Sequence, residues 1–126
     1  TLQEKSATQK PVIISMGMGG NRKKLERIFS KNQKIFCYCI SEYPTKINKI
    51  DWRSAIRYDG FSDHTLGITA SLIFAMLKKK QNTKNILIEK HVKLRNSRGP
   101  DADSSINTEE LADLVSAVKK IEKLKF

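Results

Sequence analysis

Phe61-Ser62-Asp63-His64-Thr65 opens the stretch that decides the fold. Glu89-Lys90-His91, followed by Arg95-Asn96-Ser97-Arg98-Gly99-Pro100-Asp101, closes it. The chain has two histidines, and both lie in this stretch. Each follows an apolar or mixed run with strand character, and one helix-length amphipathic segment separates them. The order is strand, histidine, helix, strand, histidine. In a parallel sheet each crossover returns the chain to its starting side, so both imidazoles come to the same edge. Two neutral imidazoles meeting there can share one divalent cation, with Ser62, Glu89 and Asp101 close by.

Working outward, the same alternation continues. Pro11-Val12-Ile13-Ile14-Ser15 reads as a buried strand ending in the turn Met16-Gly17-Met18-Gly19-Gly20. That turn could admit a phosphate or serve only to enter the helix over 22–31, for which Asn21 is a cap. Ile35 to Ile40 is a second strand, and Tyr43-Pro44 begins the loop after it, since proline cannot continue a central ladder. A short helix is expected within 48–56. A weaker strand, interrupted by Gly60, is expected over 58–62. The periodicity then predicts a helix over 65–79, a strand over 85–89 and a final helix capped by Thr108. Residues 1–10 are polar and read as the end of a preceding helix or a linker; residues 11–126 form the α/β unit. Such alternation argues a parallel sheet with helices outside it. Polar residues follow every strand: Ser15, Ser41, Ser62 with His64, and Glu89 with His91. Ligands of open α/β sheets and barrels bind at that C-terminal edge.

Composition narrows the function classes. A formal charge of +11, from 24 Lys+Arg against 13 Asp+Glu, favours anions in general and selects none. The lysine runs at 23–24, 78–80 and 119–120 read as solvated faces. One Trp and no interleaving of aromatic with basic residues argue against a nucleic-acid stacking platform. Cys37 and Cys39, two apart on a strand, face one way and suit neither a mutual disulfide nor a zinc site. They read as core thiols in a reducing, cytoplasmic setting. No apolar run reaches the ~18 residues of a membrane span. Asp63 reads as a cap for the helix that follows it.

Five segments, taken in order, resemble the sialic acid synthase family (N-acetylneuraminate synthase and its legionaminate and pseudaminate relatives). They are 11–18, 39–45, 61–68, 89–91 and 99–101, and the similarity runs from about Lys10 to the end. The resemblance implies a (β/α)8 TIM barrel of which this chain covers strands five to eight. A complete barrel needs roughly 200 residues or more. The expectation is therefore a fragment, a split-gene product or a degenerate copy that needs the other barrel half or self-association. The chain departs from the family's usual pattern at Ser41, Lys46 and Ala102.

The resemblance also implies chemistry. The family condenses phosphoenolpyruvate with an N-acyl amino sugar such as N-acetylmannosamine and releases phosphate. It places the metal, commonly Mn2+, on His64 and His91. Ser62, with Ser15 and Ser41, falls at the phosphoenolpyruvate end, and Tyr43 and Asp101 fall at the sugar, while Glu89 touches substrate or orients a neighbour. Ligand type alone also admits Mg2+, Co2+ or Zn2+. Another metal-dependent barrel aldolase or lyase using the same histidines, or a non-catalytic basic binding module, are the alternatives.

Overall fold

A computed structural model describes residues 1–126. The elements are α1 (Leu2–Ala7), β1 (Val12–Ser15), α2 (Arg22–Ile28), β2 (Lys34–Cys39), a 3-10 turn (Ile47–Lys49), α3 (Trp52–Ala55), β3 (Gly60–Asp63), α4 (Thr69–Lys80), β4 (Leu87–Lys90) and α5 (Thr108–Glu122). The four strands form one parallel sheet in the order β1-β2-β3-β4. A doubly wound sheet reverses its strand order to place helices on both faces. Here the order never reverses, so right-handed crossovers place the connecting helices α2, α3 and α4 on one face, as a half-barrel requires.

The core lies between that face and the helices. Phe61 of β3 stacks on Phe74 of α4 with ring centroids 5.2 Å apart, and on Tyr38 of β2 at 6.2 Å. Ile50, Ala55 and Ala70 are buried with them, and Trp52, Ile40, Ile86 and Ile88 close the rim. Each fully buried aromatic of this kind contributes about 1.5–3 kcal/mol. The opposite face carries the small and polar residues of the alternation. Ser15 is level with Cys37, and Cys39 is level with Ser62 and Glu89.

Several elements differ from the sequence expectations for identifiable reasons. Helix α4 begins at Thr69 rather than Thr65, because Thr65 bridges Thr45 and Gly67 takes a left-handed φ of 68°. Strand β3 begins at Gly60 and runs to Asp63, rather than over 58–62 with Gly60 as an interruption; Gly60 pairs with Cys37, whose thiol occupies the space a Cβ would need. Helix α5 is capped by Asn107 rather than Thr108. Asn107 accepts from the Glu110 N–H at 2.8 Å, and the Glu110 carboxylate accepts from the Asn107 N–H at 3.1 Å, a reciprocal capping box. Lys78 is not solvated. It is 4% exposed, and its ammonium donates to the Ile56 carbonyl at 3.0 Å. Burial lowers its pKa.

Candidate active site

The C-terminal ends of the strands gather the polar residues into one cavity of about 500 Å³. Ser15, Gly17, Met18, Cys39, Ser41, Tyr43, His64, Glu89 and His91 line it. Successive side chains of a strand point to opposite faces, so Glu89 and His91 share the inner face with Ser62 and His64. The imidazoles meet edge to face with centroids 5.5 Å apart. The Tyr43 ring lies over His64 at 4.1 Å and 5.7 Å from His91.

His64 is held on several sides. Its carbonyl accepts from the Thr45 N–H at 2.8 Å, and its Nδ1 lies 2.7 Å from the Ile40 carbonyl oxygen. A ring nitrogen that close to a carbonyl carries the proton, so Nδ1–H donates and Nε2 keeps its lone pair. Ligand histidines are oriented in this way. His91 has a carboxylate beside each nitrogen: Glu89 Oε1 at 3.5 Å from Nε2, and Asp101 Oδ2 at 3.6 Å from Nδ1. Asp101 reaches His91 because the loop after β4 folds back on the strand. The Ile106 N–H donates to the His91 carbonyl and the Lys93 N–H donates to the Ile106 carbonyl, with Ile106 fully buried. The Ser104 and Ser105 hydroxyls both donate to the Asp101 carbonyl, at 3.1 and 2.6 Å.

His64, Glu89 and His91 each offer a ligand atom, and these atoms lie within 4.8 Å of one another. Two imidazoles and a carboxylate suit a divalent first-row cation. Donors about 2.1 Å from a shared ion stand roughly 3.0–3.4 Å apart in octahedral or tetrahedral geometry, so the three groups must draw together to hold one. The donor set therefore fits the metal that the histidines suggest, with Glu89 as a third donor.

The serines divide. Ser15 and Ser41 line the cavity. Ser62 is 2% exposed and lies behind Ser15, their hydroxyls 3.0 Å apart. Gly17 packs tightly on the same wall, where a Cβ would stand 2.5 Å from Ser41 Oγ. Cys37 is a core thiol, and burial pushes its pKa up to about 11. Cys39 is not core: it lines the cavity 3.8 Å from His64 Nδ1, with its pKa raised by partial burial and then by Glu89. Partial burial also raises the pKa of Tyr43, ahead of the nearby Cys39, Asp101 and Glu89. The inward place of Cys39 follows from the strand register that sets it level with Ser62 and Glu89, a relation between strands that the sequence does not state.

Behind the sheet, sequence reading missed a second polar group. Asp63 does not sit at the α4 N-cap position, which is Ile68. Its carboxylate accepts from the Thr65 N–H and hydroxyl at 2.8 and 2.7 Å, and from the Ser71 N–H and hydroxyl at 3.1 and 2.5 Å. It thus satisfies a first-turn N–H of α4 from a distance. Lys90 lies beside it, Nζ 3.4 Å from Asp63 Oδ1, and donates to the Thr65 carbonyl. Burial lowers the pKa of Lys90, and Asp63 opposes that shift.

Comparison with known proteins agrees with this architecture. The chain is 32% identical over 98% of its length to an uncharacterized protein of Methanocaldococcus jannaschii. It is 31% identical over 97% to the N,N'-diacetyllegionaminic acid synthase of Campylobacter jejuni, and 29% identical over 95% to the N-acetylneuraminate-9-phosphate synthase of Homo sapiens. It spans 36–39% of the length of these relatives. A crystal structure of the N-acetylneuraminic acid synthetase of Leptospira borgpetersenii superposes with a TM-score of 0.78 at 27% identity, covering 97% of this chain and 45% of that one. The four parallel strands and their helices therefore match part of a TIM barrel. A model of the NeuB family matches residues 1–125, and the chain belongs to that family.

Proposed function

We propose that this chain supplies the metal-holding part of an active site that joins phosphoenolpyruvate to an N-acyl amino sugar. The product is a sialic-acid-type nonulosonic acid, formed with release of phosphate. The observation that carries the reading is the convergence of His64, Glu89 and His91 on one cavity with Ser15, Ser41 and Tyr43, in a chain of the NeuB family. His64, His91 and Glu89 would hold a divalent cation, Mn2+ in this reading, which supplies Lewis acidity to the acceptor's aldehyde oxygen. Ser15 and Ser41 hydrogen-bond the anionic end of phosphoenolpyruvate, and Ser62 fixes Ser15 by their shared hydrogen bond. Tyr43 walls the site above both imidazoles, and Asp101 accepts from a sugar hydroxyl while orienting His91. Carbon 3 of phosphoenolpyruvate bonds to the aldehyde carbon, water supplies the oxygen that ends on carbon 2, and phosphate departs.

The strands that complete the barrel belong to the same reading. β1 and β4 each present one unpaired edge, and Ile13 on the inner face is 59% exposed. Such edges seek a partner, either another half-barrel or a second copy. The test is phosphate release from phosphoenolpyruvate by the completed, metal-loaded assembly, with and without N-acetylmannosamine. Release that needs both sugar and metal, and falls when Ser62 is changed to Ala mainly through a higher KM for phosphoenolpyruvate, supports the reading. Sugar-independent release, or none from a folded assembly, overturns it.

A further inference from the structure

Asp63 and Lys90 each immediately precede a histidine of the cavity, and the β3–β4 register pairs them directly. Alternation puts them on the helix side of the sheet, opposite His64 and His91. There both side chains are buried, 0% and 2% exposed, and each has partners within the protein. Asp63 accepts from the backbone and hydroxyl of Thr65 and Ser71, and Lys90 donates to the Thr65 carbonyl beside Asp63. Burying two charges is costly, and an apolar pair of similar volume would serve stability as well or better. The placement of this pair calls for another reason.

We propose that Lys90 and Asp63, with Ser71, are positioning residues that clamp the ends of β3 and β4 from behind and so fix the separation of His64 and His91. Lys90 ties β4 to the turn after β3 through the Thr65 carbonyl, one residue beyond His64. Asp63 ties the same turn to the first turn of α4 through Ser71. A shift of either strand end moves one imidazole relative to the other. The inference rests on the metal reading above and adds to it a device on the far side of the sheet. Groups hydrogen-bonded directly to metal ligands typically change affinity by about 10–100-fold, and a clamp one step further out is expected at the lower end of that range.

The test compares wild type, Lys90→Met, the charge-free pair Asp63→Asn with Lys90→Met, and the milder Ser71→Ala. Mn2+ affinity is measured by calorimetry, the imidazole separation by crystallography, and folding by urea titration, in the same barrel-completed preparation. Lys90→Met leaves Asp63 without its cation and should lose stability. The double variant leaves no unpaired buried charge and should recover much of it. Cation affinity should nevertheless stay at least about tenfold weaker in both, with the two imidazoles displaced from their 5.5 Å centroid separation. Ser71→Ala should weaken binding about threefold or more while folding normally. Recovered stability together with wild-type affinity in the double variant makes the pair merely structural and overturns the proposal. Wild-type affinity in a folded Ser71→Ala variant does the same if the double variant fails to fold. If the wild type binds no divalent cation, the metal reading itself falls. The imidazole separation in the variants then decides the clamp alone: displacement supports it and an unchanged separation overturns it.

Discussion

The two faces of the β3 and β4 ends are built from alternate residues of the same strands, yet they obey opposite rules. On the inner face, Glu89 and His91 are part-exposed, and the nearest carboxylates stand 3.5 and 3.6 Å from the His91 nitrogens, beyond good hydrogen-bond distance. On the helix face, Asp63 accepts from four donors within 3.1 Å, and neither of its carboxylate oxygens is left unpaired. A polar group buried without partners costs stability, so the helix face must be satisfied by the protein. Groups that bind a ligand need spare lone pairs, so the inner face must not be. The difference separates structure from function within a single residue step: Asp63 from His64, and Lys90 from His91.

The largest expected effect lies on the helix face. Asp63→Ala strands the buried ammonium of Lys90 and removes the acceptor for Thr65 and Ser71. Breaking a buried ion pair from one side costs roughly 3–5 kcal/mol. Urea titration should find the variant close to unfolded, whereas a loss under about 1 kcal/mol would erase the contrast between the faces. The inner face should behave oppositely. His64→Ala and His91→Ala should each reduce divalent-cation affinity by roughly 100-fold or more, about 2.7 kcal/mol, with smaller effects on stability. Wild-type affinity in either variant would break the shared site.

The smallest effect sharpens the contrast between two thiols on one strand. Burial holds Cys37 near 11, above the ordinary value of 9.0. In the unfolded chain the thiol ionises near 9.0, so the protonated Cys37 contributes stability that is present below that value and is lost as pH rises from there towards 11. Its alkylation by iodoacetamide at pH 8 should be slow, and should quicken by about tenfold per pH unit up to the folded pKa. Cys39 is also raised, but it opens on the cavity and should be modified first. Equal rates for both at pH 8, judged by peptide mass spectrometry, would remove the distinction.

What could be read in the sequence follows from how local each signal is. The β-branched run before Ser15, the apolar run before Ser41, the period-2 placement of Glu89 and His91, and the helix periodicity after Gly67 are written in neighbouring residues. They are enough for a parallel sheet with both histidines at one edge, while the half-barrel is implied only by the family resemblance of the five motifs. The α5 cap falls one residue before the Thr108 that the sequence suggests, because Asn107 and Thr108 are both good caps and only backbone geometry chooses between them. Lys78 reads as part of a solvated run because three lysines in a row carry no hint that the first packs against the Phe74 face of α4.

By itself, the sequence determined the element order, the family and the pair of histidines, because strand and helix periodicities and short motifs are properties of contiguous residues. Only the tertiary structure decided that Asp63 meets Lys90, that a Glu89 oxygen comes within 4.8 Å of both histidines' ring nitrogens, and that Cys39 faces the cavity beside His64. Those are relations between strands. They depend on a register set by the helices and turns of the whole sheet, and a slip of one residue would have exchanged the two faces.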